Sequence, residues 1–445
     1  MSDASDCPTR GFATTQVQAG FSAATAVRSA VPPIHQSTAF EPASLSHARD
    51  LFAHRCDGDV YSRTANPTVT VLEQRVAALE GGIAAVALAS GQAAVALTLL
   101  ALAGRGGHIV AARQLYGGTV DLLEDTLPDW GIQTSFVDQD DIAAWRGAVR
   151  PETRAFFAET VANPIAQVLD VRAVADAAHA AGVPLVVDNT VATPYLQQPR
   201  QWGADVSVHS ATKFIGGHGS VLGGVVVDLG TFDFTADPGR WPALTAPSRR
   251  LGHERSLAEH FASPLVALIR TKYLHDLGPT LGASAAFTLL QGLETLDLRM
   301  QRHAASAQRV AQHLAGHRGV ARVHHPGLPA SPWHAASRIY LPRGVPSVFS
   351  IDLPGTGDAD ADFALVERFV DRLRVLRLLA NIGDARSIVT HPASMTHSHL
   401  SARQLAEAGI SPTTVRLSIG LEDPDDLIAD LDGALTGALT GGLRP

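Results

Sequence analysis

Residues 205–224 read DVSVHSATKFIGGHGSVLGG, with Lys213 near the centre. DVSVH alternates apolar and polar residues as a short strand does, the polar S-A-T-K follows as a turn, and glycines close the stretch. Such a turn leaves backbone N–H groups and the hydroxyls of Ser210 and Thr212 free to hold a phosphate beside the amine. Of the 35 lysines and arginines in the chain, only Lys213 and Lys272 are lysine. A guanidinium cannot act as an amine nucleophile, whereas an ε-amine in a weakly polar site can lose its proton and attack a carbonyl carbon. Lys213 is therefore a candidate Schiff-base residue, with a surface lysine in a loop as the plain alternative. Nucleotide binding by the glycines is disfavoured, because Gly217, Gly219 and Gly223 miss the dinucleotide spacing and no helix-forming run follows them.

Around this stretch, short apolar runs alternate with helical ones. AAVALA, HIVAA, IQTSFV, RAFFAE, PLVVD, DVSVH and GGVVVD predict seven buried strands, with helices such as GQAAVALTLLALA, GGTVDLLEDTL and VRAVADAAHAAG between them. That alternation predicts an α/β fold with a mainly parallel seven-stranded sheet covered on both faces. Ligands of such sheets sit at the carboxyl ends of the strands. Ser90, Gly91 and Gln92, then Glu159 and Asn163, then Asp188, then residues 210–213 all fall at those ends.

The 445 residues exceed what one small core needs, and 46% hydrophobic with 18% charged residues is the composition of a globular protein. A net charge of −8 without a basic run argues against a nucleic-acid partner. Cys7 and Cys56 make no disulfide framework and no signal-peptide pattern opens the sequence, so a cytoplasmic compartment without membrane attachment is expected. Residues 83–104 are uncharged, but S-G-Q at their middle predicts a strand, a turn and a buried helix instead of a membrane span.

Residues 1–66, with weak periodicity and several prolines, predict an extended arm. N-P-T at 66–68 introduces an amphipathic helix with Val71, Leu72, Val76 and Leu79 on one face. A large domain over 67–275 is expected, interrupted by a Pro- and Arg-rich insertion or lid at 230–263. A linking helix with a break near Gly292 and a smaller α/β domain fill 276–445.

A lysine that forms an imine with a phosphorylated pyridine aldehyde needs further groups, and each has a candidate. Asp188 follows four apolar residues and is placed to keep the pyridine nitrogen protonated. Ser90-Gly91-Gln92 opens a helix whose N-terminus suits the phosphate. Tyr116 in QLYGGT is placed to stack on the ring. Arg416, a basic residue inside the apolar strand TTVRLSIG, is either a bidentate carboxylate anchor or half of a structural salt bridge. His391, His397 and His399 are poorly spaced for a metal, and none is expected.

YSRTANPT, ASGQAA, LYGGT, ETVANP, VVDNTVATPY, HSATKFIGGHG, LQGLETLDLRM, HPASMTH and VRLSIGLED occur in this order. With them the chain resembles the Cys/Met-metabolism (trans-sulfuration) group of pyridoxal-phosphate enzymes, of fold type I. The resemblance implies pyridoxal 5'-phosphate held by Lys213 and faced by Asp188. It implies a phosphate site of Gly91, Gln92, Ser210 and Thr212, with Tyr116 stacked on the ring as a proton shuttle and Asn163 beside the ring hydroxyl. Tyr61 and Arg63, otherwise readable as a solvated loop, would reach the phosphate of a neighbouring subunit in a homo-oligomer, a dimer of dimers. Ser387 and Arg416 would bind the substrate α-carboxylate. Within the group, LYGGT and NIGDARS before HPASMTHSHL are most similar to the branch that replaces the γ-acetate of O-acetylhomoserine with sulfide or a small thiol. Cystathionine γ-synthesis, a succinylated donor, γ-elimination and a catalytically silent cofactor-binding scaffold are the alternatives.

Overall fold

The computed structural model of the chain describes residues 10–22 and 28–440, so Cys7 lies outside the described residues. All seven predicted strands form: β1 (Ala84–Leu88), β2 (His108–Ala112), β3 (Gln133–Val137), β4 (Thr153–Glu159), β5 (Leu185–Asp188), β6 (Val206–Ser210) and β7 (Gly224–Asp228). They make one sheet in the order β1-β7-β6-β5-β4-β2-β3. The pairings from β6 through β5, β4 and β2 to β3 are parallel, and only β7 opposes its neighbours β1 and β6. Helices on both faces explain why β2 and β7 are buried along their whole length. β3 departs from the expectation of a buried strand. It is the last strand of the sheet, so Gln133 is exposed and residues 134–136 are half-buried.

The uncharged run at 83–104 folds as β1, a turn and the helix Gly91–Ala103, whose polar Thr98 returns its hydroxyl to the Ala94 carbonyl at 2.7 Å. No helix among the described residues is long and apolar enough to cross a membrane. Asn66 caps the helix Pro67–Glu80 by accepting the Thr68 N–H at 3.0 Å, and Pro67 occupies the first helical position, where no N–H is needed. Val71, Leu72, Val76 and Leu79 of that helix are buried.

Two expectations need correction. The N-terminal stretch is not extended throughout. Phe12–Gln18 is helical, and the buried Gln16 amide donates to Asp297 at 2.5 Å. Nor is 230–263 a lid. Phe232, Phe234 and Trp241 pack edge to face with centroids 5.0–5.4 Å apart, and Leu244 and Leu257 are fully buried. Thr231 donates to the Ala204 carbonyl and Arg240 to those of Ala181 and Gly182, which places the segment at the amino ends of β5 and β6, away from the ligand side.

Beyond it, the helices Ala283–Leu293 and Leu296–Ala315 meet at Glu294–Thr295, just past Gly292. A second sheet follows, built from β8 (Arg322–His324), β9 (Val348–Asp352), β10 (Arg377–Leu378), β11 (Ile388–Thr390) and β12 (Thr414–Ser418) in the order β10-β11-β12-β9-β8. β12 lies at its centre, which sets Arg416 opposite Thr390 on one side and Ser350 on the other.

Candidate active site

Parallel strands end on one side of their sheet. Here Glu159, Asp188 and Ser210 finish β4, β5 and β6 around a cavity of about 310 Å³ that β12 closes with Arg416. Lys213 enters the cavity from the turn after β6, and its Nζ donates to Asn381 Oδ1 at 2.6 Å. Burial, together with the Arg416 charge, lowers the amine from its ordinary value to about 8. At neutral pH a fraction of the amine is thus free of its proton, as a nucleophile or base requires.

One end of the cavity suits an anion. Ser90 caps the helix Gly91–Ala103 by accepting the Ala93 N–H, while the N–H groups of Gly91 and Gln92 have no acceptor among the described residues. A Cβ at Gly91 would stand 2.5 Å from Ser210 Cβ, so only glycine lets this helix end approach β6 so closely. The Gln92 amide is fixed by donating to the Gly118 carbonyl at 2.7 Å, and the Thr212 hydroxyl is engaged with Gly223.

The opposite end suits a carboxylate. Arg416 is buried, yet every bond it makes is to a neutral oxygen: Asn163 Oδ1 at 3.1 Å, the Asn381 carbonyl at 3.0 Å and Thr390 Oγ1 at 2.9 Å. Among the described residues it has no salt bridge, and its Nε lacks a partner altogether. The structural salt bridge is thereby ruled out as the reason for this arginine. A buried guanidinium without a counter-charge is costly and calls for an anionic ligand, and the burial lowers it to about 10.

Between the two ends, Asp188 and Glu159 lie side by side as register partners on β5 and β4. Burial raises Asp188 above the usual carboxylate range. Glu159 is pushed up to about 8, by burial first and by the neighbouring Asp188 second. Tyr116 overhangs the cavity with its ring partly exposed, and a Cβ at Gly118 would stand 2.8 Å from that ring. Val161, Val191, Leu222, Ala380 and Ile382 make the rest of the wall apolar.

The fold thus gathers Gly91, Gln92, Tyr116, Asn163, Asp188, Ser210, Thr212, Lys213 and Arg416 around one cavity. It does not bring Ser387 there. That hydroxyl donates to Glu422 Oε2 at 2.8 Å and accepts the Gly420 N–H at 2.8 Å, and Ser387 is not among the residues lining the cavity. Asn381, six residues earlier in the same loop, faces Lys213 instead, and only its position in the NIGDARS segment hinted at a role. Tyr61 and Arg63 also lie outside the cavity, in a separate exposed pocket with His35 and Thr280, the guanidinium 5.4 Å from the tyrosine ring centre. His391 bonds to Ser394 and to the Pro412 carbonyl, and His397 is buried next to Thr396.

The family model for Cys/Met metabolism PLP-dependent enzymes matches residues 13–436. An O-acetyl-L-homoserine sulfhydrylase of Corynebacterium glutamicum is 45% identical over 435 residues, 97% of this chain and 98% of that protein. An O-acetyl-L-homoserine sulfhydrylase of Thermus thermophilus is 42% identical over 427 residues, 95% of this chain and 99% of that protein. Among solved structures, a Campylobacter jejuni protein described as an O-acetylhomoserine (thiol)-lyase superposes with a TM-score of 0.91 at 35% identity, over 96% of this chain and 100% of that one. That structure contains N'-pyridoxyl-lysine-5'-monophosphate.

Proposed function

The chain belongs to the Cys/Met-metabolism PLP-dependent enzymes, and from that premise we propose that it is a transferase performing γ-replacement on O-acetyl-L-homoserine. Sulfide or a small thiol enters, acetate leaves, and homocysteine or methionine is formed.

The residues present fit pyridoxal 5'-phosphate. A helix N-terminus with two free N–H groups, a glycine that admits it against Ser210, a buried acid at a strand end and a lysine with a lowered proton affinity share one cavity. When bound, the cofactor supplies an electron sink for the charge released at the substrate α-carbon.

The chain's own groups divide the remaining work. Gly91, Gln92, Ser210 and Thr212 would hold the phosphate, Asp188 would keep the ring nitrogen protonated, Asn163 would meet the ring hydroxyl, and Tyr116 would cover the ring. Arg416 takes the substrate α-carboxylate through the donors it now lends to neutral oxygens. Lys213 would hold the cofactor, and its amine, with a lowered proton affinity, is placed to take the substrate α-proton and then a β-proton. Asn381 orients that amine through its Oδ1. Tyr116 offers a phenolic proton where the acetate departs. Val161 and Val191 make the cavity wall apolar, and among the described residues the cavity has no lysine or arginine beyond Lys213 and Arg416 to meet the carboxylate of an amino-acid acceptor, which supports sulfide or a small thiol over cysteine.

The exposed Tyr61 and Arg63 complete a neighbour's phosphate site in a homodimer, which pairs further into a tetramer. Exposed Leu45, Phe52 and Leu222 supply apolar surface for that contact.

The uncompensated Arg416 in the cavity of Lys213 carries this reading. Product formation by the purified, cofactor-loaded chain tests it: O-acetyl-L-homoserine is supplied with sulfide, with methanethiol, with cysteine or with no acceptor. Homocysteine from sulfide at the highest rate is the expected result. Cystathionine as the main product, or α-ketobutyrate without an acceptor, would overturn it.

A further inference from the structure

Glu159 ends β4 in register with Asp188 on β5, and both carboxylates wall the cavity. Neither has an arginine or lysine partner among the described residues. The Glu159 carboxylate is nevertheless fully engaged: Oε1 accepts the Tyr116 N–H at 2.6 Å, and Oε2 accepts the Asn163 N–H at 3.0 Å. These donors come from two separate loops, one after β2 and one after β4. The Asn163 side chain is bonded in turn to Arg416 at 3.1 Å. One buried carboxylate thus ties the ring platform to the residue that meets the Arg416 guanidinium. No amide can replace it without loss, because glutamine has a single acceptor oxygen and would turn an NH₂ group toward one of the two N–H donors.

We propose that Glu159 is a positioning residue for the cofactor ring, fastening the Tyr116 and Asn163 main chains to one carboxylate beside Asp188. The proposal rests on reading the cavity as a pyridoxal-phosphate site. The charged and titratable groups around Glu159 are Asp188 on β5, Lys213 from the turn after β6, Arg416 on β12 and the phenol of Tyr116, with His209 near Asp188 on β6. The two backbone donors favour the ionised carboxylate, whereas burial and the Asp188 charge favour the protonated one. Changing Glu159 therefore alters both where the ring sits and the field in which it titrates.

The test uses the full chain, stripped of and reloaded with pyridoxal 5'-phosphate, as wild type, Glu159→Gln and Glu159→Asp. Three quantities are read: the dissociation constant for the cofactor, the pH midpoint of the bound cofactor's visible absorption, and the melting temperature of the stripped protein. We expect either variant to weaken cofactor binding roughly tenfold or more and to move the absorption midpoint, with little change in the melting temperature of the stripped protein. Cofactor affinity within about twofold of wild type and an unmoved midpoint would overturn the proposal. A fall in melting temperature alone would also overturn it, as would failure of both variants to fold, since either result marks a purely structural role. Failure of the wild type to take up the cofactor would instead refute the reading of the cavity itself.

Discussion

Lys213 and Asn381 are joined by a 2.6 Å hydrogen bond from amine to side-chain oxygen, while the main-chain carbonyl of the same asparagine accepts from Arg416 at 3.0 Å. The amine and the carboxylate anchor are therefore held by two ends of one residue. A substrate carboxylate arriving at Arg416 competes with the bond that places Asn381, and so acts on the residue that steers the amine.

Replacing Asn381 tests this link. Asn381→Ala is expected to lower kcat roughly tenfold through loss of a bond to a charged donor. Asn381→Asp sets a carboxylate against the amine and raises its proton affinity, so reaction of the stripped protein with cofactor should require higher pH than in wild type. Steady-state kinetics check the first variant, and the pH dependence of cofactor uptake, followed by absorbance, checks the second.

In wild type the same experiment has a defined midpoint. The neutral amine is the reactive form, and Lys213 is lowered to about 8, so uptake should accelerate as pH rises toward about 8 and level off above it. An amine of ordinary proton affinity would still be accelerating near pH 10.

Lys213→Ala should remove at least roughly 10³ of the turnover, as loss of a positioned base does, and the bound cofactor should show no lysine-linked absorption. Arg416→Lys keeps the charge but loses the planar fork. It should raise the KM for O-acetyl-L-homoserine roughly 10²-fold with a smaller effect on kcat. Steady-state kinetics separate the two.

Stability of the stripped protein should depend on the acid pair. Glu159 is raised to about 8 in the folded state, so folding favours its protonated form. That contribution is complete below the unfolded value and is lost as pH rises through about 8. The melting temperature should fall as pH rises from about 5 to about 8 and level off above that, and fall less in Asp188→Asn, where the neighbouring charge is gone. Calorimetry of both proteins without cofactor decides it.

If Arg63 serves a neighbouring site, Arg63→Ala and Lys213→Ala chains should complement each other. Each is inactive alone, but a mixed pair has one site with an intact lysine on one chain and an intact arginine on the other. Random exchange should restore about a quarter of wild-type activity. No recovery on mixing would place Arg63 outside the shared site.

The sheet was legible because its strands are apolar runs cut by glycines and polar turns, a signal held within a few neighbouring residues. Lys213 stood out as one of two lysines, and Asp188 as an acid closing an apolar strand. The parts that were not legible depend on which way a loop faces. Asn381 and Ser387 share one irregular segment, and only folding shows that Ser387 turns to Glu422 while Asn381 meets the amine. Glu159 was visible as a strand-end acid, but its tie to Tyr116 joins residues 43 positions apart. The segment at 230–263 looked like a cover because its periodicity is weak, yet its aromatic residues pack on one another and join the main hydrophobic core.

That aromatic cluster, an edge of the main core, has an evolutionary corollary. Because it abuts the strands from the end remote from the chemistry, substitutions there are free to tune heat tolerance or expression without touching donor or acceptor choice. Divergence among relatives in this region should therefore track growth temperature more closely than what the enzymes make, and its exposed turn at 235–239, not the buried rings, is the natural place to graft a tag or reporter.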